Sequence, residues 1–521
     1  MVVVIFFTIR IFGLDIWSVK IAFLGLARFL HIYLIVSIVK EVFHLEVETK
    51  GIFVNGKWKV TERTYDLRAP YDGKVLAYIS KADVQDVQEA IGGAHRAFQT
   101  MRKMPAHQRS DILSKVVEQL KERREEAAQL LSLEAGKPIR TARAEIGRTI
   151  TTYQFAAEEA KRIYGETIPM DAAPGGEGRL GFTWREPLGT VVAICPFNFP
   201  FNLVSHKVGP AIAAGNTVVL KPAEQTPLSA LLIAELFQKA GLPDGALQVV
   251  TGSGREIGDA LVEDERVKKI TFTGSSEVGK QIKAKAGLRR VTLELGSNSG
   301  LIVEPDVPIE AIIPRCVEGA FAFAGQVCIS LQRIYVHESI YSEFAERFIA
   351  QTGQLRVGDP TDEQTDISAM IHEREMERID SWVQEAVVAG ARIGCGGRRE
   401  NSIYLPTVLL DVKPDMSVSC KEVFAPVVSI VPYSSLDEAI EMVNDSVYGL
   451  NVGIYTKDLE KAFHAAREIQ AGGVIVNDIP TFRVDHMPYG GVKESGYGRE
   501  GVKYAVQEMT DLKFVSIKTQ L

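Results

Sequence analysis

The sequence predicts an α/β protein with two successive regions of alternating strands and helices and a small β arm. Three observations carry this. From Gly189 onward, short, predominantly apolar segments (190–194, 216–220, 247–250, 269–272 and 291–293) alternate with helical patterning at 228–240 and 277–286. Strands apolar on both faces and spaced by helices form parallel sheets covered on both sides. The same grammar resumes from Gly300 to about Gly473, with strands expected at 300–303, 332–336, 427–431 and 451–455. A Gly/Pro-rich stretch, Pro174-Gly175-Gly176-Glu177-Gly178, precedes an extended segment at 180–186 that reads as a hairpin arm, and 512–517 is a further β candidate. An unpaired terminal strand is often covered by a partner chain.

Upstream of these regions, 52–58 alternates around Asn55-Gly56 and reads as a β-hairpin, followed by a short strand at 74–79. Apolar residues at three- and four-residue spacing predict helices over 84–101, 107–134 and 141–164. The run Lys121-Glu122-Arg123-Arg124-Glu125-Glu126 is a solvated helix face.

A chain of 521 residues, 46% hydrophobic and 24% charged, suits two or three domains with a cleft between them. The net charge of −7, from 59 basic against 66 acidic residues, lacks the basic footprint of a nucleic-acid binder. The five cysteines, Cys195, Cys316, Cys328, Cys395 and Cys420, show neither C-x-x-C pairs nor metal-ligand spacing. No disulfide framework or metal site is therefore expected, and a reducing, cytoplasmic compartment fits.

Residues 1–45 are strongly apolar, but Arg10, Asp15, Lys20, Arg28 and His31 interrupt them. No span of about 18 uncharged residues remains. The best candidate, 21–39, would carry Arg28 mid-span, at roughly 2.5 to 3.5 kcal/mol on insertion scales, although 30–39 could lie in an interface. No small-residue cleavage site follows. Globular patterning begins abruptly near Lys50-Gly51-Ile52, and no Met occurs between Met1 and Met101. Two readings stand for residues 1–49: an extraneous leader, with initiation at a codon such as that of Val47, or a membrane-associating segment.

The chemistry lies at the strand ends, where such sheets collect ligands. Cys328 follows the small-residue run Phe323-Ala324-Gly325-Gln326-Val327, and Glu294 lies in Leu293-Glu294-Leu295-Gly296. A thiol that attacks a carbonyl and a carboxylate that deprotonates water are the two groups needed to oxidise an aldehyde through a thioester and hydrolyse it. Asn198, in Pro196-Phe197-Asn198-Phe199-Pro200, offers an amide donor to a developing oxyanion. Lys221-Pro222-Ala223-Glu224 offers partners for a ribose, its carboxylate favouring NAD over NADP by repelling a 2′-phosphate. Phe272-Thr273-Gly274-Ser275-Ser276-Glu277-Val278-Gly279 joins a strand to a helix whose N-terminus can hold pyrophosphate, without being a G-x-G-x-x-G fingerprint.

In this order and spacing, these runs resemble the aldehyde dehydrogenase superfamily over about residues 50–518, joined by Glu422-Val423-Phe424-Ala425-Pro426-Val427 and Lys493-Glu494-Ser495-Gly496-Tyr497-Gly498-Arg499-Glu500. The resemblance implies a Rossmann-type cofactor domain (50–165 and 188–296), an α/β catalytic domain (297–495) and an oligomerisation arm with the C-terminal strand (166–187 and 496–521), assembling as dimer or tetramer. It implies Cys328 as nucleophile, Asn198 with the backbone N–H of Cys328 as oxyanion hole, and Glu294 as the base for the deacylating water. It further implies Lys221 and Glu224 at the adenosine ribose, Gly274, Ser275 and Gly279 on the pyrophosphate side, Glu422 with Phe424 at the nicotinamide ribose and ring, and Lys207 with Glu500 in a proton relay. No metal is implied.

The sequence departs from the commonest family pattern at Ser297-Asn298-Ser299, where many members have Gly-Lys, and at Ala425, a frequent glycine. With Val476-Asn477-Asp478 and Arg483-Val484-Asp485-His486, this looks like the lactaldehyde and non-phosphorylating glyceraldehyde-3-phosphate branch. Arg483, in a loop the family places near the substrate entrance, is either a surface arginine or a partner for an anionic group. The expected substrate is a short polar aldehyde: lactaldehyde, or an anionic relative such as sulfolactaldehyde, glyceraldehyde 3-phosphate or succinic semialdehyde. Val327 supplies no second cation for a phosphate. Transfer of the acyl group to coenzyme A is the competing enzymatic reading, disfavoured by Glu294, and a catalytically silent binding relative is the non-enzymatic one.

Overall fold

The computed structural model describes residues 10–11, 14–15 and 47–519. Arg10–Ile11 and Leu14–Asp15 pair antiparallel. The segment 21–39, with its membrane expectation, lies outside the described residues. No helix among the described residues is long and apolar enough to cross a membrane.

Within residues 49–519, the first sheet has eight strands, in the order Gly496–Tyr497, Arg290–Glu294, Val267–Thr273, Thr190–Ile194, Thr217–Lys221, Leu247–Val249, Ile52–Val54, Lys57–Lys59. Its five central strands are parallel, and the three outer ones antiparallel. Strand order reverses between Thr190–Ile194 and Val267–Thr273, so the loops after these two strands diverge and leave a crevice at their carboxyl ends. This is a Rossmann-type arrangement. Helix Asn202–Ala214 is buried at every position, so its polar residues Asn202, Ser205, His206 and Lys207 require partners inside the protein.

The second sheet has seven strands, with Gly300–Val303 between Arg333–His337 and Asn451–Tyr455. All of its pairings are parallel except that of Arg392–Cys395 with Thr407–Leu410. Each sheet buries its own apolar cluster, around Val191 and Val218 in the first and Leu301 and Ile334 in the second.

Several boundaries differ from the sequence expectation. The helix expected over 107–134 is two, Ala106–Glu122 and Arg124–Ala135, broken at Arg123, whose φ of −100° and ψ of 20° leave the helical region. The last helix of that series is Ile139–Glu159, ending five residues before Tyr164. The C-terminal strand is not left unpaired: Thr510–Lys518 pairs antiparallel with Arg179–Pro187 over nine residues of the same chain. Gly496–Tyr497, expected in the arm, instead edges the first sheet, with Gly496 opposite Glu294.

Candidate active site

Cys328 is reached through an uncommon backbone. After helix Ile309–Phe321, residues Phe323, Ala324 and Gly325 take φ values of 49°, 52° and 67°. Left-handed backbone costs Phe and Ala roughly 1–2 kcal/mol each, so tertiary contacts must hold it. A Cβ on Gly325 would stand 2.1 Å from the Ala425 carbonyl oxygen, which explains glycine there. The Phe323 ring lies 4.3 Å from the Lys137 ammonium.

The thiol meets one aromatic hydroxyl: Tyr489 Oη lies 3.0 Å from Cys328 Sγ. Burial pushes the Cys328 thiol up to about 11, with the Tyr489 hydrogen bond and the Arg483 charge acting the other way. Arg483 stacks on the same tyrosine, its guanidinium carbon 3.7 Å from the Tyr489 ring centroid. It is not a surface arginine. Its side chain is 5% exposed, and its Nε has no hydrogen-bond partner among the described residues.

Glu294 ends the strand Arg290–Glu294, buried, with neither carboxylate oxygen hydrogen-bonded among the described residues. Burial, and then the Glu500 charge, raise its carboxyl well above the usual range. Glu500 goes the other way. Burial disfavours its charge, but Lys207, His206 and Arg483 outweigh that and hold it at about 2. Lys207 Nζ donates to Glu500 Oε1 at 2.6 Å and to Thr271 Oγ1 at 3.2 Å. Two buried carboxyls with oppositely displaced proton affinities side by side are a common signature of acid–base sites.

Asn198 sits past the end of Thr190–Ile194, its Nδ2 donating at 3.0 Å to the carbonyl of Gln326, two residues before Cys328. One amide hydrogen remains for a ligand. The Asn198 backbone carbonyl is held in turn by Lys137 Nζ at 2.6 Å, and Lys137 pairs with Glu145, both fully buried. Glu145 also accepts from the backbone N–H groups of Phe201 and Asn202 at 3.0 and 3.2 Å.

On the cofactor side, the residues present fit a dinucleotide. Thr273 Oγ1 is buried without a partner among the described residues, at the turn into helix Ser276–Lys285. Ser275 caps that helix, its side chain accepting from Val278 N at 3.4 Å. Lys221 is buried, its ammonium donating to the Pro222 carbonyl at 3.0 Å with further hydrogens to offer a ribose. Glu224 is half-buried, and its backbone carbonyl accepts from Tyr65 Oη at 2.8 Å. Glu422 accepts from Ser297 N at 3.0 Å, and burial raises its carboxyl to about 7. Phe424 adopts a φ of 49° and meets Phe197 edge to face at 5.9 Å. Gly279 lies in the first turn of the same helix, and a Cβ there would stand 2.5 Å from Leu295 Cδ2, so its smallness lets the helix pack on the Glu294 loop.

Sequence reasoning missed Tyr489, the Lys137–Glu145 pair and Asp485. Asp485 accepts from Arg148 Nη2 at 2.7 Å and Asn202 Nδ2 at 3.1 Å and meets His206 Nε2 at 2.9 Å. Nothing in one sequence points to them, because each is defined by contacts with residues distant in the chain.

A dinucleotide crevice whose floor carries a thiol beside a buried carboxylate places the protein among enzymes that oxidise carbonyl compounds. The chain belongs to the aldehyde dehydrogenase family, which it matches over residues 58–515. It is 51% identical over 470 residues to a 3-sulfolactaldehyde dehydrogenase of Priestia megaterium, covering 90% of this chain and 98% of that one. Aldehyde dehydrogenase 21 of Physcomitrella patens, solved with the reaction product succinate, shares 44% identity and a TM-score of 0.89, covering 91% of this chain and 99% of that one. The glyceraldehyde-3-phosphate dehydrogenase GapN of Methanocaldococcus jannaschii, solved with NADP, shares 39% identity and a TM-score of 0.85, covering 88% and 100%. The protein is a nicotinamide-dependent oxidoreductase acting on aldehydes, in the branch its motifs resemble.

Proposed function

We propose that the protein oxidises a short anionic aldehyde to its carboxylate with NAD, through a thioester on Cys328. The observation that carries the anionic preference is Arg483: a buried guanidinium with an unpartnered Nε, stacked on the tyrosine that touches the thiol. A buried hydrogen-bond donor without a partner costs about 1–3 kcal/mol, which a sulfonate, carboxylate or phosphate on the substrate would relieve. The relatives named for 3-sulfolactaldehyde and solved with succinate agree with an anionic substrate or product.

In this reading, the Cys328 thiolate adds to the aldehyde carbon, and Asn198 Nδ2 with the Cys328 backbone N–H stabilises the oxyanion. NAD, when bound, supplies the acceptor for the hydride that leaves the resulting thiohemiacetal. Thr273, Ser275 and the helix N-terminus would hold its pyrophosphate, Lys221 and Glu224 its adenosine ribose, and Glu422 and Phe424 its nicotinamide end. Glu294 then takes a proton from the water that hydrolyses the thioester, its proton affinity set by burial and by the neighbouring Glu500 charge. A water-activating base at this place favours acid over acyl-coenzyme A as product.

Steady-state comparison of 3-sulfolactaldehyde, lactaldehyde, glyceraldehyde 3-phosphate and succinic semialdehyde tests the proposal. Arg483→Met should lower kcat/KM for the anionic members by about 10- to 100-fold, equivalent to one charge-assisted hydrogen bond, and leave lactaldehyde far less affected. A preference for long apolar aldehydes overturns it. Glu224→Thr should raise NADP use, since the carboxylate repels a 2′-phosphate; unchanged NADP use counts against that role.

The same reading includes self-association as dimer or tetramer in a cytoplasmic setting. The paired arm strands expose Leu180, Trp184 and Ile517 on one face and Leu512 and Phe514 on the other, apolar side chains of the kind buried between subunits. Light scattering of the purified protein gives the state, and a monomer excludes it.

A further inference from the structure

We infer that the Tyr489 hydroxyl is a catalytic hydrogen-bond donor to the Cys328 sulfur, holding the attacking thiolate in the resting site. The inference rests on the reading of Cys328 as nucleophile.

The geometry is a fixed one. Tyr489 is 3% exposed, and its Oη lies 3.0 Å from Cys328 Sγ. Its backbone is locked to the relay carboxylate's own residue by two hydrogen bonds, Tyr489 N to Glu500 O at 3.1 Å and Glu500 N to Tyr489 O at 2.7 Å. The Arg483 guanidinium stacks on the ring at 3.7 Å. Held by its backbone and by the stacked cation, the ring can place its hydroxyl in few directions. A buried hydroxyl needs a partner, and sulfur is the one it meets.

A buried thiolate needs compensation for lost water. The charged and titratable groups facing Cys328 are Arg483, Glu294, Glu422 and Tyr489. Two are carboxylates, which oppose a thiolate whenever they are ionised. Arg483 stacks on the tyrosine ring and reaches Glu500 Oε2 with its Nη2 at 3.4 Å, and Lys207 pairs with the same carboxylate. Tyr489 alone among them offers a hydrogen bond directly to the sulfur. The bond favours the thiolate over the thiol; once sulfur is bonded to the aldehyde carbon its negative charge is gone, and the hydroxyl loses its best acceptor. The donor therefore acts on formation of the nucleophile, ahead of carbon–sulfur bonding.

The test is the pH dependence of iodoacetamide alkylation of Cys328 in the full-length protein, followed by mass spectrometry of its peptide from about pH 6 to 10. Alkylation consumes a thiolate without forming an oxyanion, so it isolates the nucleophile. Tyr489→Phe keeps the ring and removes the donor. Over this range, which lies on the acid side of the Cys328 value of about 11, alkylation of the variant should fall about 10-fold at each pH, equivalent to an upward shift of about one unit. Replacing Tyr489 by 3-fluorotyrosine, a stronger donor of nearly the same shape, should shift the profile downward in pH; this arm decides the matter if the Phe variant melts early. Superimposable profiles for wild type and the folded variants overturn the inference. Cys328→Ser separates the two layers. If it retains aldehyde oxidation, the nucleophile reading fails; if it is inactive while the profiles coincide, only the role of Tyr489 fails.

Discussion

Lys207 Nζ lies 2.6 Å from Glu500 Oε1, with the two side chains 0% and 2% exposed. The pair fixes a negative charge beside Glu294 and so raises the proton affinity of the expected base. Glu500→Gln should remove that charge and shift the acid limb of the kcat profile to lower pH, because Glu294 then ionises more easily. Stability gives a second readout. Glu500 is held at about 2, below its unfolded value, so its stabilising contribution is present above the ordinary carboxylate range and lost as pH falls toward 2. The gap in unfolding free energy between wild type and variant should therefore close over that window in denaturant titrations. An acid limb that does not move means that Glu500 does not tune Glu294.

Glu294 presents the opposite sign. Its folded carboxyl is raised by burial, so between the unfolded and folded values the native state holds a proton that the unfolded chain has released. Stability then declines as pH rises through that interval. Glu294→Gln removes the penalty and should raise Tm at pH 8, while slowing steady-state turnover by at least about 10²-fold through loss of the general base. Stopped-flow recording should show a burst of reduced cofactor close to one per site, followed by slow acyl release. A variant that loses Tm together with activity would point to a structural carboxylate.

How much of this was legible beforehand follows from the kind of interaction. Strands such as Thr190–Ile194 and Gly300–Val303 read correctly because burial on both faces leaves an unbroken apolar run. Cys328, Glu294 and Asn198 were legible as motifs at strand or helix ends. The left-handed run Phe323-Ala324-Gly325 was not: Phe and Ala have no local preference for it, and it exists because Lys137 and Ala425 close around it. Arg483 could not be told from a surface arginine, since its burial comes from Tyr489 and Glu500, 6 and 17 residues away in sequence but adjacent in space. The break at Arg123 falls in a charged run whose helical periodicity continues across it.

Lys137 joins the two halves of the site. Its ammonium holds the Asn198 backbone carbonyl, pairs with Glu145 and lies 3.9 and 4.3 Å from the Phe199 and Phe323 rings. Lys137→Met should leave Glu145 charged and unpaired in the core, costing about 3–5 kcal/mol in chemical unfolding. The double variant Lys137→Met with Glu145→Gln should recover much of that stability. If the lysine also orients Asn198, kcat in the double variant should stay depressed by about 10- to 100-fold, while Cys328 alkylation proceeds normally, since alkylation needs no oxyanion donor. Recovery of stability and kcat together would make the pair structural only.

Asp485 anchors the loop that carries Arg483 and Tyr489. Arg148, Asn202 and His206 converge on its carboxylate from two helices, Ile139–Glu159 and Asn202–Ala214. Burial opposes its charge, but His206 and Arg148 hold its carboxyl far below the usual range, so it stays ionised throughout the working pH of the enzyme. Asp485→Asn keeps the shape and removes the charge, leaving Arg148 and His206 without their shared anion. The loop then loses its strongest attachment two residues from Arg483. KM for anionic aldehydes should rise by about 10-fold, and KM for the cofactor should not, because the crevice at Thr273 and Lys221 is built on other elements. Equal losses for anionic and neutral aldehydes would mean that the loop supports Cys328 through Tyr489 and does not select charge. A loss confined to anionic aldehydes ties substrate choice to the Asp485 anchor, and steady-state kinetics on sulfolactaldehyde and lactaldehyde, measured side by side, distinguishes the two.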